Sequence, residues 1–456
     1  MSASQPICRV AVPSPVYRLF DYLAPKSAGP LAPGTRLRVP FGRRAVVGIL
    51  HELVDRSELP HARLKSVQAV LDETPLFPAE LYGLLTWVAA YYHHPLGEVL
   101  HTALPVLLRR GRPAQARGLE VWTLAAQGKD LDPEAMRRAP RRKRLLEALR
   151  GAPAGLTEVE LSARVERWRA VLREWLARGW VERGERDCLE AQATAAAPAP
   201  GLNGAQQQAF EEITAARVGF HCLLLHGITG SGKTEVYLKT IGETLARGGQ
   251  VLLLVPEIGL TPQLIARIRQ RHPLPLAVLH SGLSEQERLC AWLRARDGSA
   301  PLVVGTRSAV FAPFKNLALI VVDEEHDGSY KQQEGLRYSA RDVAIMRARR
   351  LNIPVVLGSA TPALESLYNV ELGRYRLLEL PDRAASADLP AVRLLDMRKL
   401  ACNEGLAPPL IEALRARLER GEQSLLFLNR RGYAPVLMCH ACGWLAPCHR
   451  CDARLT

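Results

Sequence analysis

Three features of the chain predict an α/β fold built on a mainly parallel sheet. Apolar runs alternate with helical patterns from residue 202 onward, at 222–225, 251–255, 276–279, 302–304, 317–322 and 354–357. The run at 222–225 feeds straight into Gly227-x-x-x-x-Gly232-Lys233-Thr234, and a helical pattern at 235–245 follows. The run at 317–322 ends in Asp323-Glu324-Glu325-His326, so acidic groups stand at a strand's carboxyl end, where such sheets bind ligands.

With 456 residues, the chain has room for about three domains and ample core. Lys and Arg outnumber Asp and Glu by 60 to 46, and the net charge of +14 favours a polyanionic partner, most simply nucleic acid. Residues 1–30 lack an apolar block behind a basic start, and no later run is long enough to span a bilayer. The expectation is a cytoplasmic protein with no membrane partner. Cys8, Cys188, Cys222, Cys290 and Cys402 are scattered and read as reduced thiols, whereas the other four of the nine cysteines crowd into the last eighteen residues.

Residues 1–108 form the first module. Runs at 8–12, 37–40 and 46–54 read as strands, followed by a helix at 79–92 and the Pro-bounded 93–105. Residues 109–190 hold a basic connector and three helical patterns at 142–150, 156–165 and 166–178. In the last of these, Trp168, Val171, Leu172 and Trp175 share one face. Gly179 suits a helix end and 180–183 a wing, so this part resembles a winged helix. The Ala- and Pro-rich 191–201 is a linker, 202–400 the phosphate-loop domain and 401–456 a final cysteine-rich part.

The site chemistry follows from residue types. Across Gly227, Ile228, Thr229, Gly230, Ser231 and Gly232, glycines let backbone N–H groups turn toward a polyphosphate, and the next helix presents its positive end. Lys233 would reach the β- and γ-phosphates of ATP, while Thr234 and Asp323 would hold magnesium and Glu324 would polarise the attacking water. Gly358-Ser-Ala-Thr-Pro362 places hydroxyls where they can bond to the acidic box or simply cap a helix.

Gly227-Ile-Thr-Gly-Ser-Gly-Lys-Thr234, Asp323-Glu-Glu-His326 and Gly358-Ser-Ala-Thr361 are similar to motifs I, II and III of superfamily-two helicases. Val255-Pro-Glu-Ile-Gly-Leu-Thr-Pro-Gln263, Gly305-Thr-Arg-Ser-Ala-Val-Phe311, the loop 327–338 and Leu426-Phe-Leu-Asn-Arg-Arg-Gly-Tyr433 narrow the resemblance to the primosomal replication-restart helicases. That resemblance implies a RecA-like motor lobe preceded by a small β-rich DNA-binding domain and a winged helix. It further implies an ATP-driven motor moving 3′ to 5′ on DNA, loaded at stalled or abandoned forks to start primosome assembly. Its partners would be branched and single-stranded DNA, the nascent-strand 3′ end, other primosome proteins and single-strand-binding protein, in a nucleoid-associated setting.

Carried over by resemblance, Gln206 reads adenine, and Thr306, Arg307, Tyr330, Lys331, Arg337 and Tyr338 contact DNA, the tyrosines offering π-faces and the cations meeting phosphate. Leu336 stands where many relatives carry an aromatic. By the same resemblance, Phe20, Asp21, Gly42 and Lys65 match the pocket for the nascent 3′ end; from residue types alone Phe20 would be core and Lys65 solvent. Cys439-x-x-Cys442 and Cys448-x-x-Cys451 are zinc knuckles, separated by five residues, which is short for one ribbon site. In the family each pair belongs to a different zinc, completed by further cysteines downstream; His440 and His449 could substitute as ligands, though they read as incidental.

The run at 425–428 reads as the first strand of a second motor lobe, which at 401–456 is too short for the 100–150 residues that such a lobe usually takes, on the order of a small domain. The expectation is therefore an incomplete second lobe without the arginine finger, worth about 10³–10⁵ in turnover, and a chain that binds ATP and DNA but hydrolyses ATP poorly and does not unwind. Three readings compete: a replication-restart helicase, a truncated fork-binding and nucleotide-sensing module without a motor, and an unrelated phosphate-loop ATPase. All of this stands on one expectation, that Lys233 and Glu324 face a common magnesium–triphosphate from adjoining strands.

Overall fold

The computed structural model describes residues 5–25, 31–189, 200–259, 261–382, 391–397, 400, 406–427, 436–439 and 442–449. Two compact units divide the chain, Met1–Ser386 and Ala387–Thr456. Within the described residues no helix is long and apolar enough to cross a membrane.

The first unit opens with β1 (Ile7–Ala11), β2 (Phe20–Leu23), β3 (Arg36–Phe41), β4 (Arg44–Val54) and β5 (Ala69–Val70), in the antiparallel order β2-β1-β4-β3-β5. Alternating residues Cys8, Val10, Leu37 and Val39 fill one core, as the pleat requires. The helix Ala79–Tyr91 buries Leu81, Leu84, Leu85 and Val88 at helical spacing in a core that runs on into the phosphate-loop domain. Arg347, fully buried on the helix Ala340–Leu351, ties the two together. It donates to the carbonyls of Val310 and Ala312 at 2.9 and 2.8 Å and pairs with Glu80 at 2.6 Å.

Next, β6 (Leu119–Leu124) pairs antiparallel with β7 (Val181–Arg186) beside the helices Pro140–Arg150, Glu158–Arg164 and Trp168–Ala177. Trp168, Leu172 and Trp175 are buried in a core of their own, as the stripe predicted, with Val171 at its margin. The pairing strand β6 was not anticipated; it comes from before the three helices and makes the expected wing one half of a two-stranded antiparallel sheet. Cys188 and Cys290 do not stand as separate thiols: their sulfurs are joined, with Cα atoms 6.3 Å apart, because the chain just after β7 lies against the helix Glu285–Asp297. An ion pair between Arg294 and Asp187 at 2.8 Å lies beside that link.

The large sheet comprises β8 (Cys222–Gly227), β9 (Gln250–Leu254), β10 (Leu276–Leu279), β11 (Leu302–Gly305), β12 (Leu317–Val322), β13 (Val355–Ser359) and β14 (Arg376–Leu380). All pairs are parallel, in the order β10-β11-β9-β12-β13-β8-β14. Leu224, Leu252, Leu254 and Ile320 face one core while Leu223, Leu253, Leu319 and Val321 face the other. Both faces are covered, which is why these strands read as unbroken apolar runs. The edge strand β14 escaped that signal because it mixes exposed and buried residues.

In the second unit the helix Pro408–Glu419 is followed by an irregular stretch over 421–427. The strand expected at 425–428 is thus not formed in its described part: Leu425 and Phe427 are exposed, with no strand among the described residues to take up their backbone groups. Leu428 lies outside the described residues.

Candidate functional site

The loop between β8 and the helix Lys233–Ala246 turns on Gly230 and Gly232, whose φ angles of 83° and 85° lie in the left-handed region. A Cβ on Gly227 would stand 2.4 Å from Ser231 Oγ, itself buried with no hydrogen-bond partner among the described residues, so this turn closes only around glycine. Ile228, Thr229 and Gly230 are exposed at its crest, and Thr234 is half-buried behind it. The helix that follows has no capping side chain, which leaves its first N–H groups for another acceptor.

Lys233 is 8% exposed; its Nζ donates to the Gly227 carbonyl at 2.8 Å and lies 3.7 Å from Glu324 Oε1. The two side chains therefore share one face, but not from adjoining strands: β13 lies between β8 and β12, so Gly358–Thr361 is interposed at the same sheet edge. Gly358 meets the helix of the phosphate loop directly. A Cβ there would lie 1.3 Å from the hydroxyl of Tyr237, so the close approach admits glycine alone.

Burial, then the negative charge of Glu324, pushes the Asp323 carboxyl up to about 6, with Lys233 acting against both. A carboxyl poised there gains most from a nearby cation, and Thr234, Asp323 and Lys233 form a donor set suited to magnesium and a polyphosphate. Glu324 has a left-handed backbone, φ 44°, a conformation that costs a non-glycine residue on the order of 1–3 kcal/mol. His326 bridges to the next motif, with Nδ1 2.7 Å from Ser359 Oγ and Nε2 3.2 Å from Thr361 Oγ1, the hydroxyl contact foreseen for Ser359 and Thr361.

Gln206 is buried, and its amide is already engaged. It donates to the Ser231 carbonyl at 2.8 Å and accepts the Asn203 N–H at 3.0 Å, so it braces the phosphate loop. Thr306 is buried, and Arg307 donates to the carbonyls of Ser329 and Lys331, which joins two segments expected to meet DNA around a cleft of about 310 Å³. The rings of Tyr330 and Tyr338 are not offered to a ligand. Both are 2% exposed; Tyr330 donates to the Asp323 carbonyl at 2.6 Å and Tyr338 packs on Phe311. Leu336 is buried beside them, and Lys331 and Arg337 supply the exposed cations of this loop.

In the N-terminal module Phe20, Asp21, Gly42 and Lys65 line one cleft of about 600 Å³. Phe20 is half-buried rather than core, its ring edge-on to Phe41 at 5.1 Å and under the Arg18 guanidinium at 4.8 Å. Asp21 accepts from Arg9 at 3.1 Å, Lys65 is exposed, and Gly42 turns β3 into β4 with φ 60°. Arg9, Arg18 and Arg63 also line this cleft and were missed, because an isolated arginine in a strand or loop carries no pattern of its own.

Cys439 and Cys442 sit on a tight turn in which the Gly443 N–H bonds to the Cys439 carbonyl at 2.9 Å and the Cys439 N–H to that of Trp444 at 2.8 Å. A turn of this kind suits a zinc knuckle. Among the described residues, Cys439, Cys442 and Cys448 do not bring three ligand atoms together; Cys451 and His440 lie outside them. One group that does converge, Asp187 with Cys188 and Cys290, has its sulfurs joined and so offers no thiolate.

A family model described as 3′DNA-binding domain (3′BD) matches residues 9–105, and one for DEAD/DEAH box helicase matches 203–370. The chain is 41% identical to replication restart protein PriA of Haemophilus influenzae, over 99% of this chain and 62% of that one. Against the protein of the same name from Bacillus subtilis it is 34% identical, over 96% of this chain and 64% of that one. It thus spans somewhat over three fifths of these relatives' length, 62% and 64%. A solved structure of RecG bound to a three-way DNA junction is similar at 23% identity and a TM-score of 0.35, over 49% of this chain and 29% of that one, too low a score to carry any argument.

Proposed function

We propose that the chain is a member of the family of replication restart protein PriA, being 41% and 34% identical to two relatives of that name, and that it is an ATP-dependent 3′-to-5′ DNA helicase that recognises stalled forks and begins primosome assembly. The observation that carries this reading is one chain with two sites: the Lys233–Glu324 face, and the cleft of Phe20, Asp21, Gly42 and Lys65. In that cleft Phe20 stacks on the terminal base, Asp21 accepts a bond from the 3′-hydroxyl and Lys65 meets phosphate. Gly42 lets backbone approach the nucleotide closely.

At the other site Gly227–Thr234 wraps the polyphosphate and Lys233 leaves the Gly227 carbonyl for the γ-phosphate. Thr234 and Asp323 would hold magnesium, which would supply positive charge against the polyphosphate. Glu324 orients the attacking water and accepts its proton. Gln206 keeps the loop in register and faces adenine with its remaining amide hydrogen. The loop 327–339, with Arg307, Lys331 and Arg337, follows the DNA backbone; the buried Tyr330 and Tyr338 support it from beneath. Zinc on Cys439, Cys442, Cys448 and Cys451, contacts with primosome and single-strand-binding proteins, and a cytoplasmic, nucleoid-associated setting belong to the same reading.

The test pairs the two sites. Forked DNA ending in a 3′-hydroxyl should bind about tenfold or more tightly than the same fork ending in a 3′-phosphate, an expectation set by one lost charge-assisted bond. Lys233→Ala should weaken a fluorescent ATP analogue by a similar factor and leave fork affinity alone. Equal affinity for both forks, or unchanged nucleotide affinity in the variant, sinks the proposal.

A further inference from the structure

On the reading that Glu324 faces nucleotide and the loop 327–339 meets DNA, we propose that Glu325 and Arg341 are a positioning pair that holds Glu324 in place and transmits the state of that loop to it. Glu325 has a fully buried side chain, yet it faces the protein rather than the nucleotide cleft. Its carboxylate accepts the Ala363 N–H at 2.7 Å, the Ser366 hydroxyl at 2.9 Å and Arg341 Nη1 at 3.0 Å. Its own N–H bonds to the Gly358 carbonyl at 2.9 Å. Four groups thus fix one residue, and they come from the end of β13, from the segment after it and from the helix Ala340–Leu351.

The position of that residue gives the arrangement its consequence. The loop 327–339 departs two residues after Glu325 and returns two before Arg341, so their ion pair clasps its two ends. A second tie lies on the other side of Glu324, where the Tyr330 hydroxyl donates to the Asp323 carbonyl at 2.6 Å. Glu324 stands between these anchors in a left-handed conformation that it would leave if released. A buried carboxylate does not part from its paired cation at low cost, so Arg341 and Glu325 move together when the loop's exit is displaced. Contact with DNA on the loop is then felt at the residue that orients water, through neighbours that touch neither ligand.

The measurement is the dissociation constant of a fluorescent ATP analogue with magnesium, with and without a saturating DNA fork, on the whole chain. The parent should show a DNA-dependent change of about fivefold or more, the lower end of ordinary coupling. Arg341→Gln and Glu325→Gln should bring that ratio close to one, with Arg341→Gln keeping DNA-free nucleotide affinity within about twofold. Arg341→Lys, which retains the charge, should restore part of it. If Arg341→Gln does not fold, the paired Glu325→Leu/Arg341→Met chain, which removes both charges together, carries the same expectation. An unchanged ratio in these variants overturns the proposal, as does a parent that binds both ligands without coupling. A parent that binds neither nucleotide nor DNA instead overturns the functional reading beneath it.

Discussion

Glu324 and Gly358 carry tight local demands, and both arise where three strands end together. At Gly358 the Tyr237 hydroxyl fills the space that a side chain would need. At Glu324 the backbone holds a left-handed angle that neighbours on both sides enforce. His101 shows a different demand, that of burial on a titratable group. Desolvation, with the Arg109 charge adding to it, pulls its imidazole down to about 4 from 6.5, although its Nε2 lies 2.7 Å from the Val47 carbonyl. A lowered value in the folded state means that the unfolded chain takes up the proton first. Stability is therefore unaffected by this group above about 6.5 and falls as the pH drops toward 4, by up to about 1.4 kcal/mol per pH unit. His101→Gln keeps a donor for the Val47 carbonyl and removes the titration. Urea midpoints at pH 7.5 and pH 5 should differ less in the variant than in the parent; equal differences would exclude His101 as the cause.

Among the elements, the phosphate loop and the acidic box were legible because each needs an apolar strand and a fixed string of residue types, and both lie within one stretch of chain. Their relation was less so. Strand order is set by how helices cover the two faces, and nothing in the runs at 222–225 and 317–322 says that β13 separates them. The edge strand β14 mixes exposed and buried residues, and β6 pairs with a strand far along the chain, so each left only a weak signal over few positions. Tyr330 and Tyr338 were legible as aromatic and not as buried, since exposure depends on which element packs beneath them. The contact between Arg347 and Glu80 was likewise invisible, joining residues far apart in sequence. It can be tested directly. Arg347→Met removes the guanidinium from two carbonyls and a partly buried carboxylate, at an expected cost of about 3 kcal/mol. The N-terminal module should then become sensitive to proteolysis at lower urea than the phosphate-loop domain. Coincident loss of both at the parent's midpoint counts against this role for Arg347.

At the scale of the whole molecule, a net charge of +14 attracts any polyanion, and on the proposed function the N-terminal cleft adds selectivity to that attraction. Its residues divide the two tasks. Lys65 is an exposed point charge, suited to phosphate and indifferent to the chain end, whereas Asp21 is a carboxylate fixed by Arg9 and suited to accept a hydroxyl. The salt dependence of binding separates them. Each phosphate neutralised contributes about −0.9 on duplex and −0.7 on single strands to the slope of log affinity against log salt. Lys65→Gln should therefore flatten that slope by a little under one, and should weaken forks with and without a 3′-hydroxyl equally. Asp21→Asn should leave the slope unchanged and bring the two forks together in affinity, because it weakens the acceptor of the terminal hydroxyl and keeps every cation that meets phosphate. A steeper loss of selectivity in Lys65→Gln than in Asp21→Asn would reverse the two assignments and place end recognition on charge alone.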